Sequence, residues 1–559
     1  MRKQWILLFF CLWVSAGITC AETPLKPKLI IGIVVEQMRY DYLSRFDSLM
    51  GSGGFKRMIS EGTDCKNAFY NYFPTQSASG HATIVTGSMP QYHGIIGDKW
   101  YMHLKNKEVF CTEDENESSV GGASYEAGRR SPRNLFTTTF GDELRLSSQF
   151  RSKVVSISMD PAAAILSGGH TAKEVYWYDD ASGDWITSTY YKNGLDLWVK
   201  TFNESKMADF YLQQTWAPKF SLSDYPNSLS DSNPFEAGIN GQSTFPYDFQ
   251  AISKPTSGGV LGHLLNNSQS GRDYSKLRIS PMGNSFTKDL AVSAILNLEL
   301  GKDDYTDYLL ISFSSLSEIG DLFGPSSVEV ADAFARLDDD LSVFLRFVDE
   351  AIGKDNVLIY LTSDHGAPER PEYLSSVNLP AGVFSSQSAV SLLKSYLNIM
   401  YGEGEWVKSY YNQQIYLNHL LIEDKKMDLE KIQNTAAQFL LQFSGVSNTV
   451  TASALNSVDF TGGVLSTLQN GFHPKRSGDI IINLLPGWVE KGLGSGISSN
   501  SPYNYDTHVP LLWYGWQIPS RSIEETIEMT DIAPTLSYLL GISAPNASTG
   551  KPIVKLIHP

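Results

Sequence analysis

The chain has 559 residues and a formal charge of −16, from 60 acidic against 44 basic side chains. That length exceeds one simple core, and an acidic chain without clustered Lys and Arg excludes nucleic acid as an expected partner. Aromatic residues at 12%, with frequent Gly, Ser and Asn, suit an extracytoplasmic enzyme with long ordered loops.

Residues 1–21 read as a secretory signal peptide. Arg2 and Lys3 form a basic start, 6–14 is an apolar run, and Thr19-Cys20-Ala21 offers a cleavage site. A retained N-terminal anchor is the alternative, and Gly17-Ile18-Thr19 is a poor lipobox for lipidation of Cys20. No later stretch approaches an uninterrupted membrane helix, so a periplasmic or secreted protein is expected. Removing the leader leaves Cys65 and Cys111. Two cysteines in an exported chain suggest one disulfide, and two separate buried thiols are the alternative. Nothing along the chain fixes an oligomeric state.

Residues 29–35 form a continuous apolar, β-branched run, the mark of a strand buried on both faces. Similar runs occur at 154–157, 308–313, 357–361, 479–485 and 510–514. Helical patterns lie between them at 287–300 and 327–352, and a short one at 531–540 is stopped by Gly541. This alternation predicts an α/β fold, a mainly parallel central sheet flanked by helices. Segments 172–285 and 366–475 break the alternation and are expected as insertions over the active-site edge, within one domain over 22–559.

The chemistry concentrates at strand ends. Glu36 follows the first run. Ser77 stands where an apolar helix begins, so backbone N–H groups and the helix dipole would favour an alkoxide or an anion there; an ordinary N-cap serine is the plain alternative. Asp364-His365 follows the run 357–361, and His508 precedes 510–514. Acid and imidazole at the carboxyl ends of strands fit a zinc site. A Ser-His-Asp triad competes, although no Gly-x-Ser-x-Gly elbow is present.

Taken together, Val35-Glu36-Gln37-Met38-Arg39, Gly80-His81-Ala82-Thr83, His93-Gly94-Ile95-Ile96-Gly97, Phe323-Gly324-Pro325, Ser363-Asp364-His365-Gly366 and Asp506-Thr507-His508-Val509-Pro510 resemble the alkaline phosphatase superfamily. The similar branch is that of secreted, phosphate-irrepressible monoesterases, and the resemblance runs from Leu29 to about Gly541. It implies two zinc ions. One would be held by Glu36, Ser77, Asp364 and His365, with Ser77 as the nucleophile that takes up the phosphoryl group. The other would rest on the segment Ser317-Glu318-Ile319-Gly320-Asp321 and on His508. Here Ser317 replaces an Asp and Asp321 replaces a His, so this second site is expected to be empty, weak or filled by another cation.

The resemblance also implies phosphate contacts from an Asn and a Lys-x-Arg. Those positions carry Asp98, Asp160 and Ala162. Up to two carboxylates thus stand where positive or neutral groups would meet a phosphoryl dianion. The reading is an exported, metal-dependent hydrolase of small phosphate or related esters, weak on monoesters. Its alternatives are a diesterase or sulfatase-type variant, or a catalytically degenerate binding or structural module.

Overall fold

In the computed structural model, residues 26–254, 271–490 and 500–556 are described. The expected leader at 1–21 and the carboxyl terminus lie outside them.

The strand Leu29–Val35 lies inside the molecule because its side chains divide between two apolar layers. Leu29, Ile31, Ile33 and Val35 pack into one buried cluster, whereas Ile30 and Val34 join another on the opposite face. Alternation with period two does this wherever both faces are covered. Gly32 interrupts the run for a local reason. A Cβ there would sit 2.4 Å from the Tyr360 hydroxyl on the adjacent strand, which hydrogen-bonds the Tyr308 hydroxyl at 2.7 Å.

Five strands form the parallel centre: Val357–Thr362, Leu29–Val35, Asp307–Phe313, Val154–Ser158 and Glu174–Asp179, in that spatial order. Their carboxyl ends present Thr362 to His365, Glu36, Ser314 and Met159-Asp160 along one edge. Helices such as Met282–Asn297 and Val328–Ala351 cover one face. Ser327 caps the latter by accepting from the Val330 N–H.

The margins differ from the parallel expectation. Leu511–Gly515 runs antiparallel to Val357–Thr362, and Asp184–Ser188 runs antiparallel to Glu174–Asp179. The central sheet is therefore mixed, with 11 strands. An apolar run buried on both faces carries no record of its direction, which explains the difference. The Glu174–Asp179 and Asp184–Ser188 strands also show that 172–285 begins as an extension of this sheet.

Ile480–Leu484 is not a central strand. It pairs antiparallel with Gln414–Leu417 and Val446–Thr451 in a separate four-stranded sheet. That sheet and the helices Ser386–Tyr401 and Leu429–Leu440 enclose their own apolar cluster. This lobe includes most of the 366–475 segment and extends past it.

The expected Cys65–Cys111 disulfide is not formed. Both thiols are free and buried, Cys65 in the cluster beneath the sheet and Cys111 beside Trp100 and Ala78. Burial in separate apolar clusters satisfies each as a small hydrophobe. Among the described residues no helix is long and apolar enough to cross a membrane.

Candidate active site

Helix Ser77–Thr86 starts at the sheet edge with Gln76 as its N-cap. Ser79 and Gln76 form a reciprocal capping box, which fixes the first turn. Gly80 lets this turn lie directly on the strand-end loop, because a Cβ there would come within 2.3 Å of the Asp364 carbonyl oxygen. The close approach brings Ser77 to Asp364-His365. Ser77 Oγ is 3.2 Å from His365 Nε2.

His365 is held by its other nitrogen: Nδ1 donates to the Gly366 carbonyl at 2.7 Å. In the neutral ring, Nε2 is then the lone-pair side. Asp364 faces that same nitrogen, with Oδ2 at 3.5 Å. Its other oxygen is saturated, accepting from the Gln37 and His365 N–H groups at 2.9 Å each. Oδ2 is buried with no hydrogen-bond partner.

This arrangement argues against a hydrolytic triad, in which the acid backs Nδ1. Three donor atoms instead converge on one point, one of them an orphaned carboxylate oxygen. Such convergence is what a divalent cation needs, with the Gly366 carbonyl orienting the imidazole from behind.

Glu36 ends the neighbouring strand, near enough for the Asp364 charge to act on it. It is buried and accepts from Ser312 Oγ at 2.8 Å. Ser312 also bonds His81 Nε2 at 2.9 Å, and His81 Nδ1 donates to the Ser77 carbonyl at 2.8 Å. His81 thus ties the Ser77 helix to Glu36 through Ser312, a link its sequence position does not reveal.

The electrostatics are one-sided. Burial, with the nearby Asp364 and Asp160 charges, raises Glu36 well above the usual carboxylate range. Burial would raise Asp364 too, but His365 and His81 hold it below its ordinary value. Asp98 is pushed up to about 6 by burial and then by Asp160. Its Oδ1 accepts the Ala78 N–H at 3.1 Å. A carboxylate therefore sits on the helix N-terminus one residue from Ser77. Asp160 caps the helix Pro161–Gly168 by accepting the Ala163 N–H at 2.8 Å.

The second half of the expected site is assembled differently. Asp321, on the helix Ser315–Phe323, accepts from Gln37 Nε2 at 2.9 Å, and burial raises it to about 7. Gln37 adopts φ 62° and links the two halves through its backbone and side chain. His508 is not brought to them. Its Nε2 donates to the Lys66 carbonyl at 2.7 Å, and its ring stacks between Tyr40 and Phe69, each at 4.4 Å.

Asp506, two residues earlier, lies on the site side instead. Its carbonyl accepts the Gly366 N–H at 2.7 Å. Burial lifts its side chain to about 6, opposed by His365 among other groups. The sequence reading missed Asp506, Gln37 and Gln76, although all three flank motifs it used.

Beside Ser77 opens a cavity of about 840 Å³. Gln76 and Asp98 line it on one side, and Tyr410, Tyr411 and Asn412 of the second lobe line it on the other. Asn412 Nδ2 donates to Gln76 Oε1, which also accepts the Asp98 N–H at 3.1 Å. The lobe thereby touches the cap of the Ser77 helix.

A serine at a helix N-terminus, facing a carboxylate-imidazole cluster at the edge of a mixed α/β sheet, defines a hydrolase of the alkaline phosphatase type. Residues 30–495 match the family described as Type I phosphodiesterase / nucleotide pyrophosphatase, and the chain belongs to it. It is 37% identical to alkaline phosphatase PhoV of Synechococcus elongatus, over 96% of this chain and 94% of that protein. It is 35% identical to a protein of Myroides odoratus named calcium-transporting ATPase, over 100% of this chain and 99% of that one. Alkaline phosphatase PafA of Elizabethkingia meningoseptica is 34% identical, over 99% of each. The crystal structure of PafA superposes with a TM-score of 0.88, covering 95% of this chain and 99% of that one.

Proposed function

We propose that the chain is an exported, metal-dependent hydrolase of phosphate-type esters, with Ser77 as its nucleophile and one principal metal position. The observation that carries this reading is the convergence of Ser77 Oγ, His365 Nε2 and the orphaned Asp364 Oδ2. These three offer zinc one carboxylate, one imidazole and one hydroxyl, and Glu36, at the adjacent strand end, would supply a second carboxylate on moving toward them. Zinc held there would ease deprotonation of the Ser77 hydroxyl and offset negative charge on the ester. Asp321 offers one carboxylate for a weaker second position, and His508 is left out of the proposal.

The chain's own residues then do the following. The helix start holds Ser77 Oγ against His365 Nε2, one residue from the cavity-lining Gln76, and from there it attacks phosphorus. A serine ester forms as the ester's alcohol departs into the cavity beside Tyr411 and Asn412, and water later releases the acid. Asp98 and Asp160 add negative charge on the incoming side, so a diester or sulfate, which carries one charge fewer, suits the site better than a monoester dianion.

The test is rapid acid quench of the zinc-loaded protein with a chromogenic phosphodiester, followed by peptide mass spectrometry. A covalent adduct on the peptide containing Ser77, absent in Ser77→Ala, is expected. Turnover without that adduct would overturn the nucleophile, and absence of both would favour the binding-module alternative.

A further inference from the structure

The hairpin formed by Lys99–Met102 and Lys107–Phe110 meets the second lobe. His103 lies in the turn of the hairpin. Across the junction, His419 starts the helix His419–Asp424, and Asp479 immediately precedes the strand Ile480–Leu484. Ligand atoms of these three side chains all lie within 4.8 Å of one another.

The geometry of each member points to the same place. The His103 and His419 rings stack with centroids 4.3 Å apart. Tyr101 and Tyr416 pack around His103 and fix its ring. No hydrogen bond engages the His103 ring among the described residues.

Asp479 is almost fully buried at 4% side-chain exposure. Its Oδ2 accepts the Leu417 N–H at 2.8 Å, and its Oδ1 accepts from Gln433 Nε2 at 2.9 Å. Oδ1 also bonds His419 Nε2 at 2.8 Å. A carboxylate held from behind by an amide and a backbone N–H, aimed at two imidazoles, has the outer-shell support of a metal ligand.

We propose that His103, His419 and Asp479 form a second metal site, independent of the Ser77 cluster, for a divalent d-block ion such as zinc. Two imidazoles and a carboxylate select zinc, copper or nickel over magnesium or calcium. Ligands on a tetrahedral zinc with bonds of about 2.0–2.1 Å stand roughly 3.3 Å apart, so small rotations of the two histidines close the site. The ion would staple the hairpin to the lobe. The hairpin follows Asp98 directly, and the lobe supplies Tyr411 and Asn412, so the staple would brace both walls of the cavity beside Ser77.

Cobalt(II) titration of the Asp364→Asn protein tests this without the catalytic ion. One equivalent per chain should bind with tetrahedral absorption bands. Outer-shell losses alone weaken metal sites by about 10–100-fold, so His103→Ala added to Asp364→Asn should weaken binding by at least about tenfold. Zinc should also raise the melting temperature of the Asp364→Asn protein and not that of the double variant. Crystals of the unmodified chain soaked in zinc should show anomalous density between the three side chains. Absence of that density, or cobalt affinity unchanged by His103→Ala, would overturn the proposal and leave His419 and Asp479 as a plain ion pair.

Discussion

Asp98 holds the Ala78 N–H, a donor at the helix start that an anion would otherwise use, beside the proposed nucleophile Ser77. Asp98→Asn keeps an acceptor for that N–H and removes the charge. It should raise kcat/KM for a phosphate monoester by about ten- to a hundredfold, or roughly 1.4–2.7 kcal/mol, with little change for a diester. A steady-state comparison of the two substrates checks this, and equal changes for both would place Asp98 away from the phosphoryl group. Ser77→Ala should lower turnover of every ester by at least about a thousandfold, since no other hydroxyl shares the contact with His365. Residue identity singled out Ser77, Asp364 and His365, and the fold brings these three together. The sequence places His508 with them, whereas in the fold it opens the short strand His508–Val509, pairs with Phe69 and is stacked between Tyr40 and Phe69, a register only the assembled sheet reveals.

At the scale of elements, helix Ser77–Thr86 is positioned by close packing at one end and by a buried imidazole further along. Gly80→Ala would drive a Cβ to within 2.3 Å of the Asp364 carbonyl oxygen, so the helix must shift. Overpacking of this kind costs about 1–3 kcal/mol. A urea denaturation series should show that loss together with weakened zinc binding at the Ser77 cluster; a loss of stability with unchanged zinc affinity would mean that the shift spares the site.

His93 bonds Thr83 on the same helix at 3.2 Å and accepts the Ile95 N–H at 3.1 Å. Burial, reinforced by Arg476 and His473, lowers it to about 3. A depressed histidine contributes stability that is whole above its unfolded value near 6.5 and is lost as pH falls toward 3. The unmodified chain should therefore lose on the order of a few kcal/mol between pH 6.5 and 4 through this group, and His93→Gln should flatten that decline. Equal slopes in the two proteins would contradict it.

Across the whole molecule, the parallel centre was readable from its apolar runs because strands buried on both faces need no polar alternation. The partners of each run were not readable. Ile480–Leu484 has the same β-branched character as the central strands, yet it pairs with Gln414–Leu417, since pairing depends on which faces helices such as Leu429–Leu440 cover. Likewise Cys65 and Cys111, two cysteines in a chain expected to be exported, suggested a pair, whereas the fold buries them in two separate clusters.

The assembled molecule sets the proposed nucleophile Ser77 and its proposed metal ligands next to a cavity lined by Gln76, Asp98 and residues of the second lobe. The most direct measurement is kcat/KM of the zinc-loaded, unmodified protein and of Ser77→Ala on matched phosphate monoester, phosphodiester and sulfate ester substrates. The account predicts diester or sulfate turnover above monoester turnover, all of it lost in Ser77→Ala. Efficient monoester hydrolysis, activity that survives Ser77→Ala, or no turnover of any of the three would contradict it.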